Sequence, residues 1–305
     1  MIFLFFSLRR NAGTAIRRVT GGRFSRREFR APGSRFGGRA RYRVQSGEVH
    51  AVYVACSTLC FSRLSLEEAL HVIREMQFPK GDLAIGESGS HLTPREVAED
   101  VTRIAQRLKA SNLPLAAFHV GLAAGDSDLA RKQLRAVCRL ARLSTVPLVT
   151  VAAAPRGSGF DEETKRLSEW SKVAESEGVI LTIETHSETL TADPLGALEL
   201  CRRVPGLCIT LDPSHYLIGP HGERNYDALF PYVRHVRLRD TGKLPEQFQV
   251  RVGQGELEYG RIISQLEKFH YDRALTVDIR DVPEGPFPVE PEVRKLKYLV
   301  ESLGE

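Results

Sequence analysis

Long apolar runs are missing from this chain of 305 residues. The run that opens it, Met1 to Phe6, is far shorter than the roughly 20 residues a membrane span needs. Its charges follow it instead of preceding it, so it does not read as a usual secretory segment either. Paired cysteines are missing too. The five present, Cys56, Cys60, Cys138, Cys201 and Cys208, are odd in number and scattered, with no C-x-x-C. That fits buried thiols in a reducing compartment far better than a disulfide frame or a zinc ribbon. A net positive charge is missing from the body of the chain. Residues 1–48 hold twelve arginines, no lysine and two glutamates, about +10, so the overall +5 leaves about −5 for the rest. A mildly acidic body gives no support to a nucleic-acid surface. Also absent is a G-x-G-x-x-G turn after the first apolar run, where "STLCFSRLS" stands instead, which argues against a doubly wound dinucleotide-binding sheet.

Residues 1–48 are Arg-rich, Ser-containing and poor in acids. They read as a disordered basic extension, an over-extended translation start, an organellar transit peptide or an RGG-type RNA-binding tail. The expected location is cytoplasmic, or organellar if the tail is an import signal.

From residue 49 onward one unit recurs: a short β-branched apolar run, a loop, then a helix-patterned segment. The runs are "AVYVAC" (51–56), "DLAIG" (82–86), "PLAAFH" (114–119), "PLVTVA" (147–152), "VILTIE" (179–184), "LCITLD" (207–212), "RHVRL" (234–238) and "ALTVD" (274–278), and their starts lie 27 to 40 residues apart. That is the length of a strand plus a crossover helix. Ser65 to Glu68 and Thr93 to Glu96 read as capping boxes, and Asp193-Pro194 as a cap followed by proline. "EVAEDVTRIAQRLKA", "DLARKQLRAVCRLARL" and "ETKRLSEWSKVAESEG" carry the helix period, the last stopping at Gly178. Eight units over residues 49–305 match the roughly 250 residues of a (β/α)₈ TIM barrel, the predicted fold.

In such a barrel the chemistry gathers at the C-terminal strand ends. Side-chain alternation sends Thr182, Glu184 and His186 inward from strand five and Thr210 and Asp212 from strand six. It sends His235, Arg237 and Arg239 inward from strand seven, and Thr276, Asp278 and Arg280 from strand eight. Glu87 stands near the end of strand two, His119 at the end of strand three, and His215 three residues beyond Asp212. Converging carboxylates need a cation or a proton between them. Oxygen ligands suit Mg²⁺ or Mn²⁺, added histidine shifts the choice toward Mn²⁺, Co²⁺ or Zn²⁺, and arginine ion pairs are the other solution. "RVGQGELEYG" supplies a glycine turn before a helix starting near Leu257, where backbone amides could meet a phosphate.

The segments "LTIETH", "ITLDPSH", "HVRLRD" and "VGQGELEYGRI" resemble those of the xylose isomerase-like TIM-barrel superfamily, which includes sugar isomerases, sugar epimerases and endonuclease IV. The resemblance covers about residues 52–302. It implies one divalent ion held by Glu, Asp, His and Glu on strands five to eight, which here correspond to Glu184, Asp212, Arg237 and Asp278. Arginine cannot ligate a cation, and Asp278 is one methylene shorter than the Glu it replaces. A retained metal would draw on Glu184, Asp212, Asp278 and His215, with His235 or water completing its shell. Otherwise Arg237 itself replaces the metal's charge.

The implied activity is isomerisation or epimerisation of a sugar or cyclic polyol by proton transfer next to a carbonyl. Glu184 and Asp278 would flank the substrate, with a metal or Arg237 steadying the enediolate. His119, His186, His215, His235, Arg251 and Glu87 are the substrate-binding candidates. The expected partner is a small carbohydrate-like molecule, with no membrane and no nucleic acid for the barrel, and with homo-oligomerisation left open. A catalytically retired barrel that binds a ligand or partner is the main alternative, since Arg237 and Asp278 depart from the pattern. An endonuclease IV-like repair enzyme is the lesser one, because Gln247 and Gln249 stand where that chemistry uses an Asp-x-His pair.

Overall fold

The computed structural model describes residues 52–87, 91–122, 127–221 and 225–304. The Arg-rich segment 1–48, with every reading placed on it above, lies outside the described residues. The strands are β1 (Tyr53–Ser57), β2 (Lys80–Ile85), β3 (Leu115–Val120), β4 (Leu148–Val151), β5 (Ile180–Glu184), β6 (Cys208–Leu211), β7 (Val233–Leu238) and β8 (Ala274–Val277). They close into a barrel in sequence order, each parallel to the next, with β8 returning to β1. The predicted fold is therefore the observed one. Helix α1 (Leu66–Glu75) follows β1, α2 (Pro94–Glu99) and α3 (Val101–Ala110) follow β2, and α4 (Ser127–Leu143) follows β3. Next come α5 (Phe160–Ser176), α6 (Pro194–Arg203), α7 (Ser214–Ile218), α8 (Tyr259–Lys268) and α9 (Val289–Leu303), one after each remaining strand. No described helix is long and apolar enough to cross a membrane.

The helix starts follow local hydrogen-bond chemistry. Ser65 and Glu68 form a capping box for α1, Thr93 and Glu96 form one for α2 ahead of Pro94, and Asp193 caps α6 ahead of Pro194. Such caps satisfy amides that the helix itself leaves unpaired. One expectation is corrected. The continuous helical period over 96–110 is two helices, because the Asp100 backbone leaves the helical region and its carboxylate accepts from the Arg103 amide at 2.9 Å, starting α3 afresh.

The main core lies between strands and helices, where outward apolar side chains such as Leu83, Phe118, Ile183, Ile209, Val236 and Val277 are fully buried. The barrel interior is layered differently. Ala55, Ala116 and Ala274 pack with Tyr53 in a small apolar cluster. Another part of the interior holds a triangle of threonines: Thr150, Thr182 and Thr210 bring their hydroxyls within 2.8–2.9 Å of one another. Each hydroxyl thus finds a partner without water, which is how buried polar groups are tolerated. Glu184 sits in register with Thr210, Thr210 with His235, and Arg237 with Thr276.

Candidate active site

The inward positions of β5 to β8 converge as the alternation requires. Glu184, Asp212, His235, Arg237, Arg239 and Asp278 are all buried, the two arginines completely. They are joined by a residue that sequence reasoning passed over, Asp82 on β2, also buried. Its signal was legible: a lone carboxylate inside an otherwise apolar strand, with Leu83 and Ile85 facing the helices.

Arg237 lies at the centre of the network. Its Nη2 donates to Asp278 Oδ1 at 2.7 Å and to Ser57 Oγ at 3.1 Å, its Nη1 reaches Glu184 Oε1 at 3.5 Å, and its Nε lies 3.9 Å from Asp82 Oδ2. Arg239, just past the end of β7, donates through Nη2 to Asp212 Oδ2 at 2.7 Å, closely to Asp278 Oδ2, and through Nε to the Asp278 carbonyl at 3.0 Å. His235 binds Asp82 Oδ2 at 2.9 Å. The remaining Asp212 oxygen accepts from the Ser214 amide at 3.1 Å and from the Ser214 hydroxyl. Asp212 and Asp278 are thus saturated by cations or close donors, while Asp82 is held on Oδ2 by His235 and keeps a buried Oδ1 with no partner among the described residues. Glu184 is not saturated: its nearest cation is at 3.5 Å, and His119 Nδ1 lies 3.8 Å away.

The charges reinforce each other. Burial alone would raise the pKa of Asp278, but Arg237, Arg239 and Arg280 outweigh it and hold this carboxyl far below the usual range. Burial opposes ionisation of Asp82 and Asp212 as well, and there Arg237 and Arg239 respectively tip the balance downward. For Arg237 burial would lower the pKa, and the surrounding carboxylates raise it instead. The histidines go the other way. Burial, aided by the Arg237 charge, pushes His119 well below its ordinary value, and burial brings His215 to about 4.

A pH prediction follows. The unfolded chain takes up protons on these two histidines near pH 6.5 while the folded chain refuses them, so stability is complete above that value and falls as pH drops toward about 4. Each such group contributes up to about 1.4 kcal/mol per pH unit across that window. Urea midpoints measured at pH 7 and pH 5 should show the loss, and His215→Asn should flatten the slope. An unchanged midpoint across that range would contradict it.

The other candidates are placed as follows. His215 is buried at the start of α7; its Nδ1 accepts from the Ser187 amide at 3.4 Å and faces the Ser187 hydroxyl at 3.2 Å. Its proton therefore sits on Nε2, which is 3.8 Å from Asp212 Oδ2 and has no hydrogen-bond partner among the described residues. His186 is half-buried and stacks on His215, ring centroids 3.9 Å apart. His235 is committed to Asp82 inside the barrel. Glu87 is exposed, beyond the last residue of β2. Arg251 pairs with Glu292 at 3.3 Å and lies over the Phe287 ring, tying the loop after β7 to α9. The glycine turn that offered amides to a phosphate spends them internally: Gly253 and Gly255 both donate to Asp240 Oδ2, at 2.6 and 3.1 Å. The helix it precedes starts at Tyr259, two residues later than expected.

Of the two readings drawn from sequence, a metal or an arginine in its place, the side chains present favour the arginine. A divalent ion held by Glu184, Asp212, Asp278 and His215 does not fit these residues. Both Asp278 oxygens and both Asp212 oxygens already accept from arginine or serine donors, and the guanidiniums of Arg237 and Arg239 fill the space between the carboxylates. Among the described residues no three or more His, Cys, Asp or Glu side chains are arranged to hold a metal ion.

Comparison with known proteins bears on the fold. A family profile described as the xylose isomerase-like TIM barrel matches residues 74–299, most of the chain. Among solved structures, a D-tagatose 3-epimerase-like protein superposes with a TM-score of 0.66 at 17% identity, covering 83% of this chain and 97% of its own. A 3-keto-D-glucoside 4-epimerase from E. coli gives 0.63 at 15%, covering 82% and 99%. An L-ribulose 3-epimerase gives 0.63 at 16%, covering 83% and 95%. No curated protein sequence matches the chain.

Proposed function

The chain belongs to the xylose isomerase-like TIM-barrel family, and from that premise we propose that it is a carbohydrate isomerase or epimerase whose proton-transfer base is Glu184. The observation that carries this reading is the unequal treatment of the central carboxylates. Asp212 and Asp278 are neutralised in place and Asp82 lies inside the barrel against His235, whereas Glu184 stands at the end of β5 with its closest cation at 3.5 Å and a neutral His119 beside it. A base must keep an oxygen open to the substrate, and of the carboxylates at the strand ends Glu184 is the one without a close donor. A carboxyl held that far below its usual range does not accept a proton at neutral pH, which weighs against the second acid–base role assigned from sequence to Asp278. Arg237 spends Nη1 and Nη2 on Glu184, Ser57 and Asp278, so its part is to fix Glu184 and Asp278 in place, and it is a positioning residue. The structural neighbours named as epimerases support the carbohydrate class.

The test is incubation in D₂O with a panel of ketoses, aldoses and inosose-like cyclic polyols, followed by NMR. Deuterium should enter the carbon next to the carbonyl of at least one sugar, and exhaustive chelation should leave the rate unchanged. Loss of exchange on chelation would show that a metal acts despite the arginines. A second reading, a barrel that binds without turnover, draws on the saturation of Asp212 and Asp278. It predicts a thermal shift with a panel member and no deuterium incorporation in any.

A further inference from the structure

Arg280 is the cation that the network leaves over. It follows β8 and is half-buried at the mouth, within electrostatic reach of Glu184, Asp278, Arg239 and His119. Its backbone is clamped on both sides by one side chain: Gln249 Oε1 accepts from the Arg280 amide at 2.6 Å, and Gln249 Nε2 donates to the Arg280 carbonyl at 3.0 Å. A residue held this firmly has a prescribed side-chain origin. Yet its Nε is buried with no acceptor among the described residues.

Two further donors beside it are in the same condition. Arg239 Nη1 and the protonated Nε2 of His215 are both buried and both lack an acceptor. All three groups surround one ring, that of Phe248: Arg239 at 4.4 Å, His215 at 4.7 Å and Arg280 at 5.8 Å from its centroid. Arginine has no acceptor atom, and His215 has spent its own on Ser187, so whatever completes this corner must bring oxygen lone pairs. Buried donors left unpaired carry a penalty that a ligand oxygen would remove.

We propose that Arg280, with Arg239 and His215 around Phe248, forms an oxyanion subsite, and that the substrate is a carbohydrate bearing a carboxylate or phosphate. This rests on the carbohydrate reading above and narrows it. The anion lies on the β6–β8 side of the mouth and leaves the carbon skeleton to Glu184 and His119. Gln249, which sequence comparison counted only as a lost ligand, becomes the residue that positions Arg280.

Calorimetric titration of the intact protein with matched sugars tests the subsite: D-glucose against D-glucuronate, D-gluconate and D-glucose 6-phosphate. At least one acidic sugar should bind on the order of tenfold or more tightly than the neutral one, the size of a charge-assisted hydrogen bond. Preference for the carboxylates or for the phosphate identifies which oxyanion the subsite takes. Arg280→Gln should erase the preference, and Arg280→Lys should retain part of it. Equal binding of neutral and acidic sugars overturns the subsite while leaving the isomerase reading intact. Binding of none of the four overturns the subsite, and the D₂O panel then decides the isomerase reading separately. An acidic preference that survives Arg280→Gln in a normally melting protein also overturns it.

Discussion

Replacing Arg237 with methionine should destabilise the barrel by about 3–5 kcal/mol, the range seen when one partner of a buried ion pair is removed. Methionine fills much of the volume but leaves Asp278 Oδ1 without its 2.7 Å donor and leaves the Asp82 and Glu184 charges without their central counter-ion. Most of the cost is the burden of stranded carboxylates and not the loss of an attraction. The double variant Arg237→Met/Asp278→Asn should therefore recover part of the loss, with an interaction energy on the order of 1–3 kcal/mol in a double-mutant cycle. Denaturant unfolding measures both. A single-variant cost under about 1 kcal/mol would mean that water or a mobile side chain already relieves these charges, and the account of the network would fail.

The contrasting substitution is Glu184→Gln. It keeps the shape and removes the base, and it should lower turnover or solvent-deuterium exchange by on the order of 10²–10⁴. Stability should hold or rise, because Glu184 gives up no close ion pair, its nearest cation being at 3.5 Å. Asp278→Asn should do the opposite and lose stability, because two arginines then share a weaker acceptor. The pair separates a proton-transfer role from a structural one. Glu184→Gln retaining more than about a tenth of wild-type exchange would remove Glu184 from the chemistry.

Much of this was legible before any coordinates. Eight apolar runs at crossover spacing specify the barrel because a parallel strand pair needs a helix-length return, and strand alternation specifies which side chains face inward. Glu184, Asp212, Arg237 and Asp278 were all placed that way. What sequence could not supply was the pairing. An arginine side chain spans enough distance to reach several acids, so the division of labour between Arg237, at the centre, and Arg239, bridging Asp212 and Asp278, depends on strand tilt and on rotamers. Asp82 stands inside β2 and not at a strand end, and its side chain meets His235 across the barrel. The break at Asp100 escaped notice because hydrophobic periodicity runs smoothly across both helices.

The long reach of that last pair has a consequence for synthesis. Asp82 and His235 are 153 residues apart, and the network's two central arginines lie in β7 and just after it. At translation rates of about 5–20 residues per second, Asp82 waits roughly 8–30 s for these counter-charges to be made. Glu184 and Asp212 are made within that interval and wait in turn for Arg237 and Arg239. Pairing of these three carboxylates therefore falls late in synthesis, once β7 and Arg239 are present.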